Sequence, residues 1–140
     1  MSESQQENVA LARAANDAFR SGDIEAFLAM MDPDVEIYST PDLPNPGSFS
    51  GRQGWIEWTS AWFDAWDGFE VEIEKYEAVG RHHVVMTARQ RAKGAGSGVP
   101  VEMQVFYLSE YRDELATRFH LYATREDALA AAEAGESEPG

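Results

Sequence analysis

Apolar residues recur at helical spacing in the first third of the chain. Apolar side chains three and four positions apart in residues 7–21 predict an amphipathic helix. Gly22 is expected to end it, because glycine takes the left-handed conformation without a Cβ clash. The same spacing in residues 24–31 predicts a second helix, with Asp23 as its N-cap.

A strand, a loop and a third helix are expected next. Residues 35–39 predict a short strand, and the proline-rich residues 40–49 predict a loop. Ser50 begins a capping box and therefore a third helix. One face of this helix carries all four tryptophans of the chain, Trp55, Trp58, Trp62 and Trp66. Four tryptophans are more than a small core needs, so we expect some of them to line a cavity.

The hydrophobic period changes to two from Phe69 onward. Strand-like runs follow one another at residues 69–74, 84–93, 99–112 and 115–123. A glycine-rich hairpin turn separates the second run from the third, and a short helix at 125–134 follows the last. Consecutive strands with short turns form an antiparallel meander. We therefore predict an α+β fold, in which one strongly curved antiparallel sheet wraps around the N-terminal helices as a cone.

Charge and composition exclude several classes of partner. The 140 residues include 25 acidic and 11 basic side chains, a net charge of −14. This charge argues against nucleic acid and anionic membranes, whose phosphates bind basic groups. Because cysteine is absent, a thiol nucleophile and a thiolate zinc site are excluded. The sequence contains no metal or nucleotide motif, so we expect no cofactor.

The length predicts one domain. We expect a disordered N-terminus at residues 1–7, a single domain at 8–132 and a flexible acidic tail at 133–140. The first residues have neither the basic nor the apolar region of a signal peptide, and no apolar run is long enough to span a membrane. These features favour a cytoplasmic location.

Four segments, in this order of helices and strands, carry a family resemblance: GDIEAFLAMMDPDVEIYS, SGRQGWIEW, GSGVPVEMQVFYLSEYRD and RFHLYATREDAL. From about Asn8 to Ala132, the chain resembles the SnoaL-like, polyketide cyclase-like branch of the nuclear transport factor 2 superfamily. The resemblance implies the cone-shaped α+β barrel of that superfamily, which is also described as cystatin-like. Its members include isomerases, cyclases, epoxide hydrolases and proteins without catalysis, so the fold leaves the function open.

The catalytic carboxylates of the best-known relatives are replaced here. By this resemblance, Tyr38 stands at the position of the general base of ketosteroid isomerase. Ala15 and Phe106 stand near the two positions of the isomerase's oxyanion hole. An aspartate of limonene epoxide hydrolase corresponds to Leu121. Tyr38 is therefore the best catalytic candidate, and His120 and Glu102 are weaker ones.

The same equivalences predict which strand residues face the cavity, because neighbouring residues of a strand point to opposite faces. The predicted ligand-binding residues are Tyr38, Trp58, Trp62, Met86, Gln90, Gln104, Phe106, Phe119 and Leu121. The opposite face then combines arginine with methionine, valine and tyrosine, and it includes His120. Relatives dimerise through this face, and its composition predicts a homodimer through the convex side of the sheet.

Other polar residues are weaker candidates. His82 and His83 are adjacent on a strand, so they cannot bind one ion together, and we expect them to be solvated or at a sheet edge. Glu102 and Glu110 lie near strand ends, where a carboxyl that reached the cavity would be a base with a raised pKa. Asp42 lies in the proline-rich loop, which we expect to act as a lid over the cavity.

Three hypotheses follow. The first is binding of a small, largely apolar, cyclic molecule in the cone. The second is a cofactor-independent isomerase, cyclase or hydrolase acting on such a molecule, with Tyr38 as proton donor and Gln104 orienting a carbonyl. The third is a dimeric interaction module without catalysis.

Overall fold

The computed structural model describes residues 1–40, 47–94 and 96–137, and it describes residues 61–63 and 65–67 by their backbone alone. Within these residues the helices are α1 (Glu3–Ser21), α2 (Ile24–Ala29), α3 (Gly51–Ala65) and α4 (Arg125–Glu136). The strands are β1 (Met31–Ser39), β2 (Gly47–Ser50), β3 (Trp66–Val79), β4 (His83–Gly94), β5 (Pro100–Arg112) and β6 (Leu115–Tyr122). The α+β class predicted above is confirmed.

One curved six-stranded sheet has the strand order β2-β1-β6-β5-β4-β3. Strands β3 to β6 form the expected antiparallel meander, but β1 pairs with β6 in parallel, so the sheet is mixed. No tight turn joins β1 to β6, because α3 and the other strands lie between them in sequence. Their relative direction is therefore not restricted to the antiparallel one.

The helices cover both faces of the sheet. Helices α1, α2 and α3 pack on the concave face, where Val35, Ile37 and Val84 are fully buried. Helix α4 covers part of the convex face, and its alanines pack against Val85, Phe106 and Leu108. The second half of β5 is therefore enclosed on both sides, and residues 105–111 are buried without a break.

Local structure departs from the predicted elements at several boundaries. Strand β1 begins at Met31, which the helical spacing had placed in the second helix. Residues 47–50 form β2, because they pair with β1, although the prolines before them predicted only loop. The proposed lid residue Asp42 lies outside the described residues.

The first and last helices extend beyond the predicted domain, residues 8–132. Helix α1 begins at Glu3, because Ser2 and Gln5 form a reciprocal capping box, and this helix occupies most of the stretch expected to be disordered. Helix α4 continues to Glu136, inside the expected tail. The domain boundaries themselves stay a prediction. Among the residues described, no helix has the length and apolarity needed to cross a membrane.

Candidate functional site

A cavity of about 90 Å³ lies between the concave face of the sheet and helices α1, α2 and α3. Its wall is mostly apolar because each of these elements turns its apolar face inward. The described lining residues are Leu11, Ala12, Ala15, Asn16, Phe19, Phe27, Met30, Met31, Trp55, Trp58, Thr59, Phe69, Val71, Ile73, Met86, Gln90, Tyr107, Ser109, Tyr111, Glu114, Ala116 and Phe119. Glu114 is the single charged side chain in this described lining.

Two groups of aromatic rings contribute to the cavity wall. The rings of Phe27 and Trp55 are 4.8 Å apart. In the second group Tyr107 stacks on Phe119, with ring centroids 5.2 Å apart and planes 25° apart, and Trp58 meets Phe119 edge-on. Flat walls of this kind complement a planar ring, because offset stacking and edge contacts are the favoured arrangements of aromatic rings.

A polar pair interrupts the apolar wall. The side-chain amide of Gln90 donates from Nε2 to the hydroxyl oxygen of Tyr107, with 2.5 Å between the two atoms. Gln90 is only 4% exposed, and no described group donates to its Oε1. Burial raises the pKa of Tyr107 to about 12, against a weaker opposing effect of Gln90, so the phenol keeps its proton.

Four of the predicted site residues line the cavity: Trp58, Met86, Gln90 and Phe119. Leu121 lies on the same face of the sheet but within the adjoining core. The side chain of Trp62 lies outside the described residues.

The predicted facing of β1 and β5 is wrong. Met86 pairs with Tyr107 and Gln90 pairs with Met103, so the odd-numbered residues of β5 face the cavity. Gln104 and Phe106 therefore lie on the convex side. The register had been taken from the ketosteroid isomerase equivalences, and one residue of slip exchanges the two faces of a strand.

Tyr38 also lies on the convex side, because it pairs with His120 and its neighbours Ile37 and Ser39 face inward. Its ring meets His120 at 5.5 Å and Tyr122 at 6.0 Å. The prediction that Tyr38 lies inside the cavity is therefore wrong. Alternation within β1 carried the better signal, because apolar Val35 and Ile37 flank polar Glu36.

His120 lies on the convex face, as its strand parity predicted. Its Nε2 is 3.0 Å from Glu36 Oε2, and its Nδ1 is 3.3 Å from the hydroxyl of Tyr122. Burial lowers the pKa of His120, while the hydrogen bond to Glu36 opposes this shift. The ring is therefore neutral at pH 7, and it does not reach the cavity.

Glu102 is exposed on the convex face and is not among the described residues that line the cavity. Arg89 donates to it across 2.5 Å, and this hydrogen bond lowers the pKa of Glu102. The raised pKa that we expected of a cavity base therefore does not occur at Glu102.

His83 is buried, contrary to the expectation that it is solvated or at a sheet edge. Its Nε2 is 3.2 Å from Glu110 Oε2, and its Nδ1 contacts Glu136 of α4. Glu136 also accepts from the backbone N–H groups of Arg81 and His82, at 2.8 and 2.9 Å. We call His83, Glu110 and Glu136 the helix-anchoring cluster, because it fastens the end of α4 to the sheet.

Glu110 belongs to this cluster and not to the cavity. Burial would raise its pKa, but the hydrogen bond from Thr117 and the charges of Arg118, His83 and Arg112 lower it overall. Within the described residues, no group of three His, Asp or Glu side chains could hold a metal ion.

The sequence reasoning missed several cavity residues, above all Tyr107 and Tyr111 on β5. Burial raises the pKa of Tyr111 to about 12, against the weaker effect of its hydrogen bond with Ser109. Alternation could not identify these residues, because α4 buries the other face of β5 as well. The missed signal lay in the hairpin register, which places Tyr107 opposite Met86.

The chain belongs to the SnoaL-like domain family, whose model matches residues 12–128. A nuclear transport factor 2-like protein of Burkholderia thailandensis is 16% identical and superposes with a TM-score of 0.76, over 99% of this chain and 100% of that one. TerC, co-crystallised with polyporic acid, is 22% identical with a TM-score of 0.73, over 91% and 98% of the two chains.

A third neighbour is a Catenulispora acidiphila protein with a ketosteroid isomerase-like fold, in complex with trimethylamine. It is 19% identical with a TM-score of 0.62, over 77% of this chain and 80% of that one. These identities are low, so the three likenesses establish the fold alone. A comparison with curated proteins finds no match.

Proposed function

We propose that this domain binds a small, largely apolar molecule in the cavity between the sheet and helices α1 to α3. The observation that carries the proposal is the buried pair of Gln90 and Tyr107 within an otherwise apolar, aromatic wall. Cavities with a few well-placed polar groups on apolar walls are typical ligand sites. Two structural neighbours hold small molecules, polyporic acid in one and trimethylamine in the other.

A ligand panel tests this proposal by thermal unfolding. A ligand present at a hundred times its Kd stabilises the fold by about 2.7 kcal/mol. Ala15→Phe fills the cavity from α1 and should abolish the shift, whereas Ala14→Phe, at the adjacent exposed position, should keep it. A shift that persists in Ala15→Phe would place the ligand elsewhere and contradict the proposal.

Catalysis is a second candidate function, and one observation on the cavity lining supports it. Glu114, on the turn between β5 and β6, is the single described carboxylate at the cavity, so it is the candidate base of a cofactor-independent reaction. Incubating a bound ligand with the wild type and with Glu114→Gln, followed by product analysis, tests this function. Turnover that survives in Glu114→Gln would exclude Glu114 as the base.

We also propose a homodimer through the part of the convex face that α4 leaves uncovered. Half-buried Tyr38, His120 and Tyr122 form an aromatic cluster at the border of this part, where Tyr122 also packs against the α4 contact, and aromatic residues are enriched at interfaces. Sedimentation should give a dimer that Tyr38→Glu dissociates. Ile24→Glu, at an exposed apolar residue on α2, should leave the mass unchanged.

We also propose a cytoplasmic location and no nucleic acid or membrane partner, because the chain is strongly acidic.

A further inference from the structure

Gln90, which lines the cavity, carries a buried hydrogen-bond acceptor without a described donor. Among the described residues, the buried side-chain atoms without a hydrogen-bond partner are Ser39 Oγ, Gln90 Oε1 and Glu110 Oε2. Of these residues only Gln90 is among those that line the cavity. A buried acceptor without a donor is costly, so its presence in a ligand site indicates that the ligand supplies the donor.

Tyr107 provides the complementary group. Its hydroxyl oxygen accepts from Gln90 Nε2, which leaves its own O–H free to donate. Since Gln90 Oε1 and Nε2 belong to one amide, the free acceptor and the free donor lie side by side. Burial keeps the proton on Tyr107, so the donor is available across the neutral pH range.

A hydroxyl group matches this pair, because one oxygen can accept from Tyr107 while its hydrogen is donated to Gln90. An ether or a ketone could accept from Tyr107 but would leave the Gln90 acceptor unpaired. A carboxylate would also bury an anion where no described lining residue is a cation.

The walls define the rest of the ligand. The stacked rings of Tyr107 and Phe119 and the edge contact from Trp58 suit a flat ring beside the polar pair. The volume of about 90 Å³ is of the order of an apolar cavity, about 150 Å³, that binds benzene. Building on the function proposed above, we propose that the cavity selects a small, neutral, single-ring phenol whose hydroxyl bridges Tyr107 and Gln90.

Calorimetric titration with phenol, toluene and anisole tests this selection. Toluene has the shape of phenol without a polar group, and anisole can accept a hydrogen bond but cannot donate one. We expect the wild type to bind phenol about tenfold more tightly than toluene, equivalent to about 1.4 kcal/mol, with anisole between them.

Two variants and one matched control assign the effect to the pair. Gln90→Met removes the acceptor and should bring phenol down to the affinity of anisole. Tyr107→Phe removes the donor, keeps the ring and should reduce the preference of phenol over toluene by severalfold. Gln104→Met is the same chemical change as Gln90→Met on the convex face, and it should leave all three affinities unchanged.

The possible outcomes separate this inference from the proposed function. If toluene binds the wild type as tightly as phenol, or if Gln90→Met keeps the tenfold preference, recognition of a hydroxyl is wrong while the cavity remains a ligand site. If larger panel ligands bind and the three probes do not, selection of a single ring is wrong. If the probes and the panel all fail, the proposed function itself is overturned. Should Gln90→Met fail to fold, Tyr107→Phe alone decides the role of the pair.

Discussion

Strands β4 and β5 bury polar side chains on both of their faces, but the two sets are paired differently. On the concave face, Gln90 and Tyr107 hydrogen-bond to each other and leave Gln90 Oε1 without a described donor. On the convex face, every carboxylate oxygen of the helix-anchoring cluster has a hydrogen-bond or ion-pair partner within 4 Å. The set with ion-pair partners fastens a helix, whereas the set with an unpaired amide oxygen borders a cavity.

This difference distinguishes buried polar groups that hold the fold together from buried polar groups that can bind a ligand. A buried ion pair contributes little compared with an apolar substitute, but removal of one partner leaves an uncompensated charge and is strongly destabilising. An unpaired neutral amide or phenol carries a smaller penalty than an unpaired charge, so the fold tolerates it until a ligand supplies the missing partner. Four variants should therefore separate the two faces, and the largest effect is expected in the charged cluster.

His83→Ala should destabilise the fold by about 3 kcal/mol. The substitution leaves Glu110 and Glu136 facing one another without the imidazole between them. Urea denaturation measures the change in the free energy of unfolding. His82→Ala, at the adjacent and half-exposed histidine, should lose less than about 1 kcal/mol. Equal losses in the two variants would mean that His83 does not hold the cluster together.

Glu136→Gln should cost about 2 kcal/mol at pH 7, because it weakens charge-assisted hydrogen bonds to β4 and to the turn before it. Burial would raise the pKa of Glu136, but the N–H groups of Arg81 and His82 and the ring of His83 lower it overall from 4.5.

The pH dependence of this loss follows from the sign of the shift. A carboxyl with a lowered folded pKa stabilises the fold above about pH 4.5, and the contribution disappears as the pH falls through the folded pKa. Denaturation between pH 7 and pH 3 should therefore bring wild type and variant together at acid pH. A constant difference across this range would exclude the charge as the cause. Phenol binding at the uncharged pair should stay constant from pH 5 to pH 8.

Gly135→Ala should destabilise the fold by about 1 kcal/mol, although alanine is the better helix former. A Cβ at this position would lie 2.6 Å from His83 Nε2, so α4 or the ring must shift. The reciprocal change Ala134→Gly, at the adjacent exposed position, should cost a similar amount through helix propensity alone. Stabilisation by Gly135→Ala, measured by urea denaturation, would show that α4 does not pack closely on His83.

Gln90→Met should destabilise the fold by about 1 kcal/mol, because it removes a half-satisfied amide but leaves the buried hydroxyl of Tyr107 without its described partner. Thermal and urea unfolding measure this effect. Tyr107→Phe should cost slightly more, since it leaves the Gln90 amide without its described acceptor. A loss of several kcal/mol in Gln90→Met would assign Gln90 to the structural set and remove the contrast between the two faces.

Periodicity alone predicted the elements whose burial is one-sided. The apolar stripes of α1 and α3 and the alternation in β3 depend on neighbours in sequence, and the structure has helices and a strand there. Met86 and Gln90 line the cavity, and the burial of β4 alternates between residues 86 and 90, although their facing was predicted from the family equivalences and not from this alternation.

Which residues of β5 face the cavity depends on long-range contacts, and the local sequence does not reveal these contacts. Helix α4 returns from the end of the chain to cover Phe106 and Leu108, so residues 105–111 are buried throughout and alternation disappears. Whether Tyr107 or Phe106 faces the cavity was then decided by the register of one hairpin. The burial of His83 likewise required Glu136, 53 residues further along the chain.

The sequence by itself determined the family, the helices and the apolar character of the interior, because these follow from short-range patterns and from composition. Tertiary structure decided which polar groups each face of the sheet encloses. The physical reason is that a one-residue shift in pairing exchanges the two faces of a strand, while the hydrophobic pattern of a strand buried on both sides hardly changes.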